Sequence, residues 1–176
     1  MAAENYFQAF GIEPSFQINL RELKKAYRDK QQQSHPDRFA HHDASVQRQA
    51  VQATALNNEM FQTLSSAVKR GHYLLGLNGV DFDIESYTVT DTEMLINQLN
   101  YREQLNDFKQ QKNFSSLMNL LDAVTEKQRK IETQLASLFG ENTTGNAEQI
   151  KASLCELQFF NKLASEIELV EEHLMD

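Results

Sequence analysis

Cys155 is the only cysteine in this chain, tryptophan is missing altogether, and 176 residues contain two prolines and six glycines. Each scarcity excludes something. One thiol cannot form an intramolecular disulfide, nor can it build a four-cysteine iron–sulfur or zinc site. Set among Leu154 and Leu157, Cys155 reads as a small buried hydrophobe. So few helix breakers, with abundant Gln, Leu, Glu and Ala, favour helix along the whole length. No segment has a useful strand period and no internal repeat is visible. No apolar run is long enough to span a bilayer, and the N-terminus lacks a basic-then-apolar export pattern. The expectation is a cytoplasmic protein with no membrane partner, in which the Asn-x-Ser/Thr sequences at Asn113 and Asn142 are chance matches. A net charge of −8 argues against a nucleic-acid partner, which requires a basic footprint.

The charge is unevenly spread. Residues 1–90 carry 9 basic and 10 acidic side chains, and residues 91–176 carry 8 and 15. That asymmetry points to two units with different partners. In the front half, residues 3–10 read as a short helix stopped by Gly11, followed by a connection containing Pro14. Asn19-x-x-Glu22 is a capping box that opens a helix running to about residue 33. Leu20, Leu23 and Tyr27 form its apolar stripe. Arg21, Lys24, Lys25 and Arg28 share an adjacent face about 100° wide, in a segment with five basic and two acidic groups between residues 20 and 34. Such a face is ordinarily just solvated. Here it leads into His35-Pro36-Asp37, and the two together point to a docking surface for an acidic partner. A further helix over residues 45–65 is expected to pack on the first through Val51, Thr54, Ala55, Leu56, Phe61 and Leu64. A further helical turn follows at residues 70–77, and the polar, turn-rich segment 78–90 is the connecting region.

The second unit, 91–176, opens on another capping box, Thr90-Asp91-Thr92-Glu93. One helix runs to about residue 111. A second covers residues 114–139, with Leu117, Leu120, Leu121, Val124, Ile131, Leu135 and Leu138 as its stripe. After a loop at residues 140–145, Asn146 caps a third over 147–174, striped by Ile150, Leu154, Leu157, Phe160, Ala164 and Ile167. Short connections between long amphipathic helices make an up-down-up three-helix bundle. The first of these helices has more apolar residues than a bundle needs. Met94, Tyr101, Leu105 and Phe108 fall on one side. Leu95, Ile96 and Leu99 fall on another, accompanied by Asn100, Glu103 and Asp107, and Phe159 leaves its own helix's stripe. Either these fill a broad core or pack on the first unit, or they form an exposed apolar patch rimmed by carboxylates, the mark of a protein partner.

The front half, Leu20-Arg21-Glu22-Leu23-Lys24-Lys25-Ala26-Tyr27-Arg28, then His35-Pro36-Asp37, then Asn58-Glu59-Met60-Phe61-Gln62-Thr63-Leu64, resembles the J-domain. That module activates DnaK-class chaperone ATPases through a His-Pro-Asp loop between two antiparallel helices. The chain as a whole is similar to the specialised J-protein co-chaperones of bacterial iron–sulfur cluster assembly, the HscB family. His35-Pro36-Asp37-Arg38-Phe39, Arg70-x-x-Tyr73-Leu74-Leu75 and Asp91-Thr92-x-x-Leu95-x-x-Gln98-Leu99-x-x-Arg102-Glu103 carry the likeness, and the last two are the more specific. The resemblance implies an all-α fold, a J-domain over residues 1–77 and a bundle over 91–176. It implies a J-domain that docks on the ATPase of the partner chaperone (HscA) through His35, Pro36, Asp37, Arg38 and the basic face, speeding its ATP hydrolysis. It implies a bundle that delivers the cluster scaffold protein (IscU), contacting it through Leu95, Ile96, Leu99, Asn100, Glu103, Asp107 and Phe159. In such a site Pro36 fixes the loop so that His35 and Asp37 are presented together, and Asp37 offers its carboxylate to a basic group of the chaperone.

This chain departs from the pattern in places. Asn57 stands where J-domains carry an apolar residue, and Met60 where they carry a small one, so Leu56 is expected to take over the packing. Asn100 replaces a usual acid, and the chain is expected to do without the cysteine-rich zinc-binding extension of some relatives. The alternative is a general J-protein serving many clients. An enzyme with His35 as base and Asp37 as its orienter lacks a nucleophile motif, a phosphate loop and a carboxylate pair. His35, His41, His42 and Asp37 are poorly spaced for tetrahedral metal ligation. The expectation is no catalysis, no cofactor and no metal.

Overall fold

The structure, a computed structural model, describes residues 5–39, 41–87 and 92–175. These residues are helical with no strand among them, and they divide into two compact units, Met1–Leu77 and Asn78–Asp176. Among the described residues, no helix is long and apolar enough to cross a membrane.

In the first unit α1 spans Tyr6–Ala9, capped by the Asn5 side chain, which accepts from the Phe7 amide. The sequence places its start at residue 3, which lies outside the described residues. Gly11, at φ 67°, takes the left-handed conformation that ends it. The longer helix α2, Leu20–Ser34, starts as its capping box requires: the Asn19 side chain accepts from the Arg21 and Glu22 amides and donates to the Glu22 carboxylate. Then come a 3-10 turn at Pro36–Phe39, α3 at Ala44–Ser65 and α4 at Ala67–Leu77. Asp43 caps α3 by accepting from the Ser45 and Val46 amides, a cap the sequence reading passed over. Contacts from α2 meet progressively earlier residues of α3: Tyr27 stacks on Phe61, and Ser34 bonds Thr54. The pair is therefore an antiparallel hairpin.

Its inner face differs from the expected one. Leu23 and Leu64 are fully buried, but Leu20, Val51, Ala55 and Leu56 are exposed. Ala50, Asn57, Met60 and Leu64 point inward instead. Two apolar series compete along α3. The series that wins repeats every seven residues through 50, 57 and 64, and the polar Asn57 in its middle disguises it. The fourth helix is a full eleven residues rather than one turn. Its Arg70 is buried, donating from Nε to the Phe16 carbonyl at 2.7 Å and from Nη1 to the Leu64 carbonyl at 2.6 Å. Tyr73 stacks on Tyr6 and accepts from its amide at 3.0 Å.

The second unit is a three-helix bundle of α5 Thr92–Gln110, α6 Phe114–Asn142 and α7 Ala147–Met175. Of the capping box expected before α5, Thr90 and Asp91 lie outside the described residues. Buried Leu117, Leu120, Val124, Ile131 and Leu135 face buried Ile150, Leu154, Leu157, Phe160, Leu163 and Ile167. Leu121, Leu138 and Ala164 are half-buried at the margins. The first connection is a Schellman turn: Lys112 sits at φ 51°, its amide bonds the Lys109 carbonyl, and the Asn113 amide bonds the Phe108 carbonyl. Asn113 then caps α6. At the far end α6 continues through Gly140 to Asn142, so the expected loop at 140–145 shrinks to residues 143–146. Gly140 is exposed and packs on nothing, so its small size gives no cause to stop. Asn146 donates its side-chain amide back to the Leu138 carbonyl at 3.1 Å, which ties down the end of α6. Ahead of the bundle, in the turn-rich stretch, Phe82 is buried and meets Tyr87 edge to face.

Candidate functional site

The chain reversal between α2 and α3 gathers one set of expected residues. His35 leaves the helix in an extended conformation, φ −59° and ψ 127°, as a residue before proline must. The Arg38 amide closes the turn on the His35 carbonyl at 3.0 Å. His35 Nδ1 lies 3.3 Å from the Asp37 amide and 3.5 Å from the Asp37 carboxylate. These are alternatives for one nitrogen: it accepts from the amide when unprotonated and pairs with the carboxylate only when protonated. Both side chains are exposed, Asp37 almost entirely. The Arg38 guanidinium reaches back to the Gln32 carbonyl at 3.0 Å. Arg21, Lys24, Lys25 and Arg28 are exposed along α2 and none pairs with a carboxylate among the described residues. Exposed cations beside a presented carboxylate can steer and orient a partner of complementary charge.

The reversal is held from below by polar contacts. Thr54 Oγ1 donates to the Ser34 carbonyl, and Asn57 Nδ2 donates to Ser34 Oγ, each at 3.1 Å. Ser34 Oγ in turn donates to the Lys30 carbonyl at 3.0 Å. One step along the hairpin, Tyr27 donates to Asn58 Oδ1 at 2.8 Å, and Gln31 bonds both Tyr27 and Asn58. Asn57 therefore occupies its inward position as a hydrogen-bonding residue. The expectation that Leu56 replaces it in the packing fails, because Leu56 is exposed.

The second set lies on α5. Leu95, Ile96 and Leu99 are 43, 52 and 62% exposed, so the surplus apolar residues do not fill a broad core. Asn100, Glu103 and Asp107 are exposed beside them, while Leu105 is buried and Met94, Tyr101 and Phe108 are half-buried on the other side. Phe159 of α7 is half-buried, edge to face with Phe160, which itself meets Tyr101. Arg102 brings Phe159 to α5: its guanidinium lies 5.6 Å from the ring centroid and pairs with Glu166 at 3.5 Å. The position of Arg102 between the two faces of α5 is legible in the sequence, but its aromatic partner on another helix is not. Elsewhere in this unit, desolvation pushes the Cys155 thiol up from its ordinary range, which keeps it protonated and unreactive.

Residues 90–168 match a family model described as the HSCB C-terminal oligomerisation domain. The chain is 34% identical over 173 residues to the co-chaperone protein HscB homolog of Shewanella halifaxensis, covering 98% of this chain and 99% of that one. It is 35% identical over 175 residues to the homolog of Shewanella woodyi, with the same coverage. Among solved structures, the chaperone HscB from Vibrio cholerae matches with a TM-score of 0.83 at 30% identity, over 97% of this chain and 99% of that one. The first unit is accordingly a J-domain and the second the helical bundle that accompanies it. Likeness of this extent, carried through both units, places the chain in the HscB co-chaperone family.

Proposed function

We propose that this protein is a two-site adaptor in iron–sulfur cluster assembly. The J-domain, residues 1–77, docks on a DnaK-class chaperone (HscA) through His35, Pro36, Asp37, Arg38 and the cations of α2, and stimulates its ATPase. The bundle, residues 91–176, binds the cluster scaffold protein (IscU) through Leu95, Ile96, Leu99, Asn100, Glu103, Asp107 and Phe159, with residues 78–90 connecting the two. The protein acts in the cytoplasm and is not itself a catalyst.

The observation that carries this reading is the exposure of Leu95, Ile96 and Leu99 on a helix whose opposite side already serves the core. An apolar cluster rimmed by acids supports a specific protein client: the apolar centre supplies affinity and the rim mainly affects association rate. The test is ATP turnover of the chaperone with scaffold present. His35→Gln is expected to abolish stimulation. A Leu95/Leu99/Phe159→Ala variant is expected to stimulate alone but lose the scaffold's synergy, with each truncation weakening scaffold binding by about 2 kcal/mol. Full activity in both variants would leave the reading without support.

A further inference from the structure

The contacts beneath the reversal have a chemistry of their own. A helix ends with carbonyls that lack amide partners, and the end of α2 is where His35 must be aimed. Side chains take up two of these carbonyls, Arg38 that of Gln32 and Thr54 that of Ser34, while Ser34 Oγ bonds the Lys30 carbonyl one turn back. Asn57 fixes the Ser34 hydroxyl in turn. Both Thr54 and Asn57 belong to the facing helix, so the last residue before His35 is bonded at its carbonyl and its hydroxyl by α3. An apolar residue at 57 would fill the same inward position and leave the hydroxyl without that donor. We infer that Thr54 and Asn57 are positioning residues that lock the end of α2 and thereby set the direction in which His35 and Asp37 are presented.

The lock acts through Ser34 and touches no partner, so its loss lowers the fraction of molecules with a correctly aimed loop while leaving every docking side chain in place. That predicts a change in the concentration dependence of stimulation rather than in its limit. The inference rests on the chaperone-docking reading, and the two are tested by different measurements.

The experiment compares Thr54→Val, Thr54→Ser and Asn57→Leu in the full chain. Amide exchange at Asp37 and Arg38, measured by NMR without chaperone, is expected to quicken about five-fold in Thr54→Val and Asn57→Leu, the weight of one hydrogen bond. Thr54→Ser keeps the hydroxyl and is expected to behave as the parent, while the thermal midpoint of Asn57→Leu holds or rises because it buries more apolar surface. With chaperone, the two lock-breaking variants are expected to need about five-fold more protein for half-maximal ATPase stimulation, at an unchanged maximum. Unchanged exchange in both, or faster exchange with an unchanged half-maximal concentration, would overturn the lock. An inert His35→Gln would instead overturn the docking reading, and the exchange result would stand independently.

Discussion

The J-domain adds polar clamps to its apolar core, whereas the bundle rests on an aliphatic stripe. In the first unit a buried arginine, a buried asparagine and stacked tyrosines sit among a small set of Phe and Leu side chains. In the second, aliphatic residues recur along two 29-residue helices, and Ser153 is the one buried polar residue among those described. In the J-domain directional bonds work beside the buried apolar residues to fix the helices. In the bundle α6 and α7 supply most of the buried residues, and α5 carries apolar residues outward.

Substitutions can break that contrast. Arg70→Ala is expected to have the largest effect: it orphans the Phe16 and Leu64 carbonyls and costs the J-domain about 4 kcal/mol. Denaturant unfolding followed by residue-resolved NMR would show the loss in residues 5–77 and leave the bundle's midpoint in place. Leu135→Ala, at a fully buried site, should destabilise the bundle by about 3 kcal/mol through its cavity, with the J-domain unmoved in the same experiment. If each change unfolds both units together, the contrast is one of style rather than of independent stability. Lys112→Gly sharpens it in the other direction. A lysine at φ 51° bears a left-handed strain of about 1 kcal/mol, so glycine should raise the bundle's melting temperature, read by circular dichroism.

The smallest expected effect is on the surface of α6. A hydrogen bond from Arg129 holds the Glu126 carboxyl down at about 2. A depressed carboxylate stabilises the fold at pH above its ordinary range and loses that contribution as the pH falls toward 2. An NMR titration should find Glu126 shifted back toward the ordinary carboxylate range in Arg129→Gln, with scarcely any change in stability at neutral pH, as suits an exposed pair.

The same contrast governs what the sequence disclosed. The bundle's stripe was legible because aliphatic periodicity and burial coincide: Leu117, Leu120, Val124, Ile131, Leu135, Ile150, Leu154, Leu157, Phe160 and Ile167 were all assigned inward and all are buried. So was the surplus on α5, since residues outside a stripe are counted by the same rule. In the J-domain the rule misled. Val51 and Leu56 are apolar and exposed, Asn57 is polar and buried, and Arg70 is buried because two carbonyls on other segments receive it, that of Leu64 nearby and that of Phe16 far back in the chain. Hydropathy cannot announce a polar residue whose partner lies on another segment. The His-Pro-Asp loop was legible for a different reason, namely that its chemistry is contiguous in the chain, whereas the Arg102–Phe159 contact joins helices that only the fold brings together.

The anchorage of α5 has a thermodynamic consequence. Of its residues only Leu105 is buried, against five in α6. The apolar side chains that would otherwise hold it down are turned outward, so it is the member of the bundle with the shallowest free-energy well. A client that covers Leu95, Ile96 and Leu99 would supply the missing half of its burial and act as a folding ligand. At a client concentration a hundred times the dissociation constant, such linkage would deepen the well by about 2.7 kcal/mol. The loaded bundle would then be stiffer than the empty one, so cargo could be sensed as rigidity in α5 without any change in its backbone path.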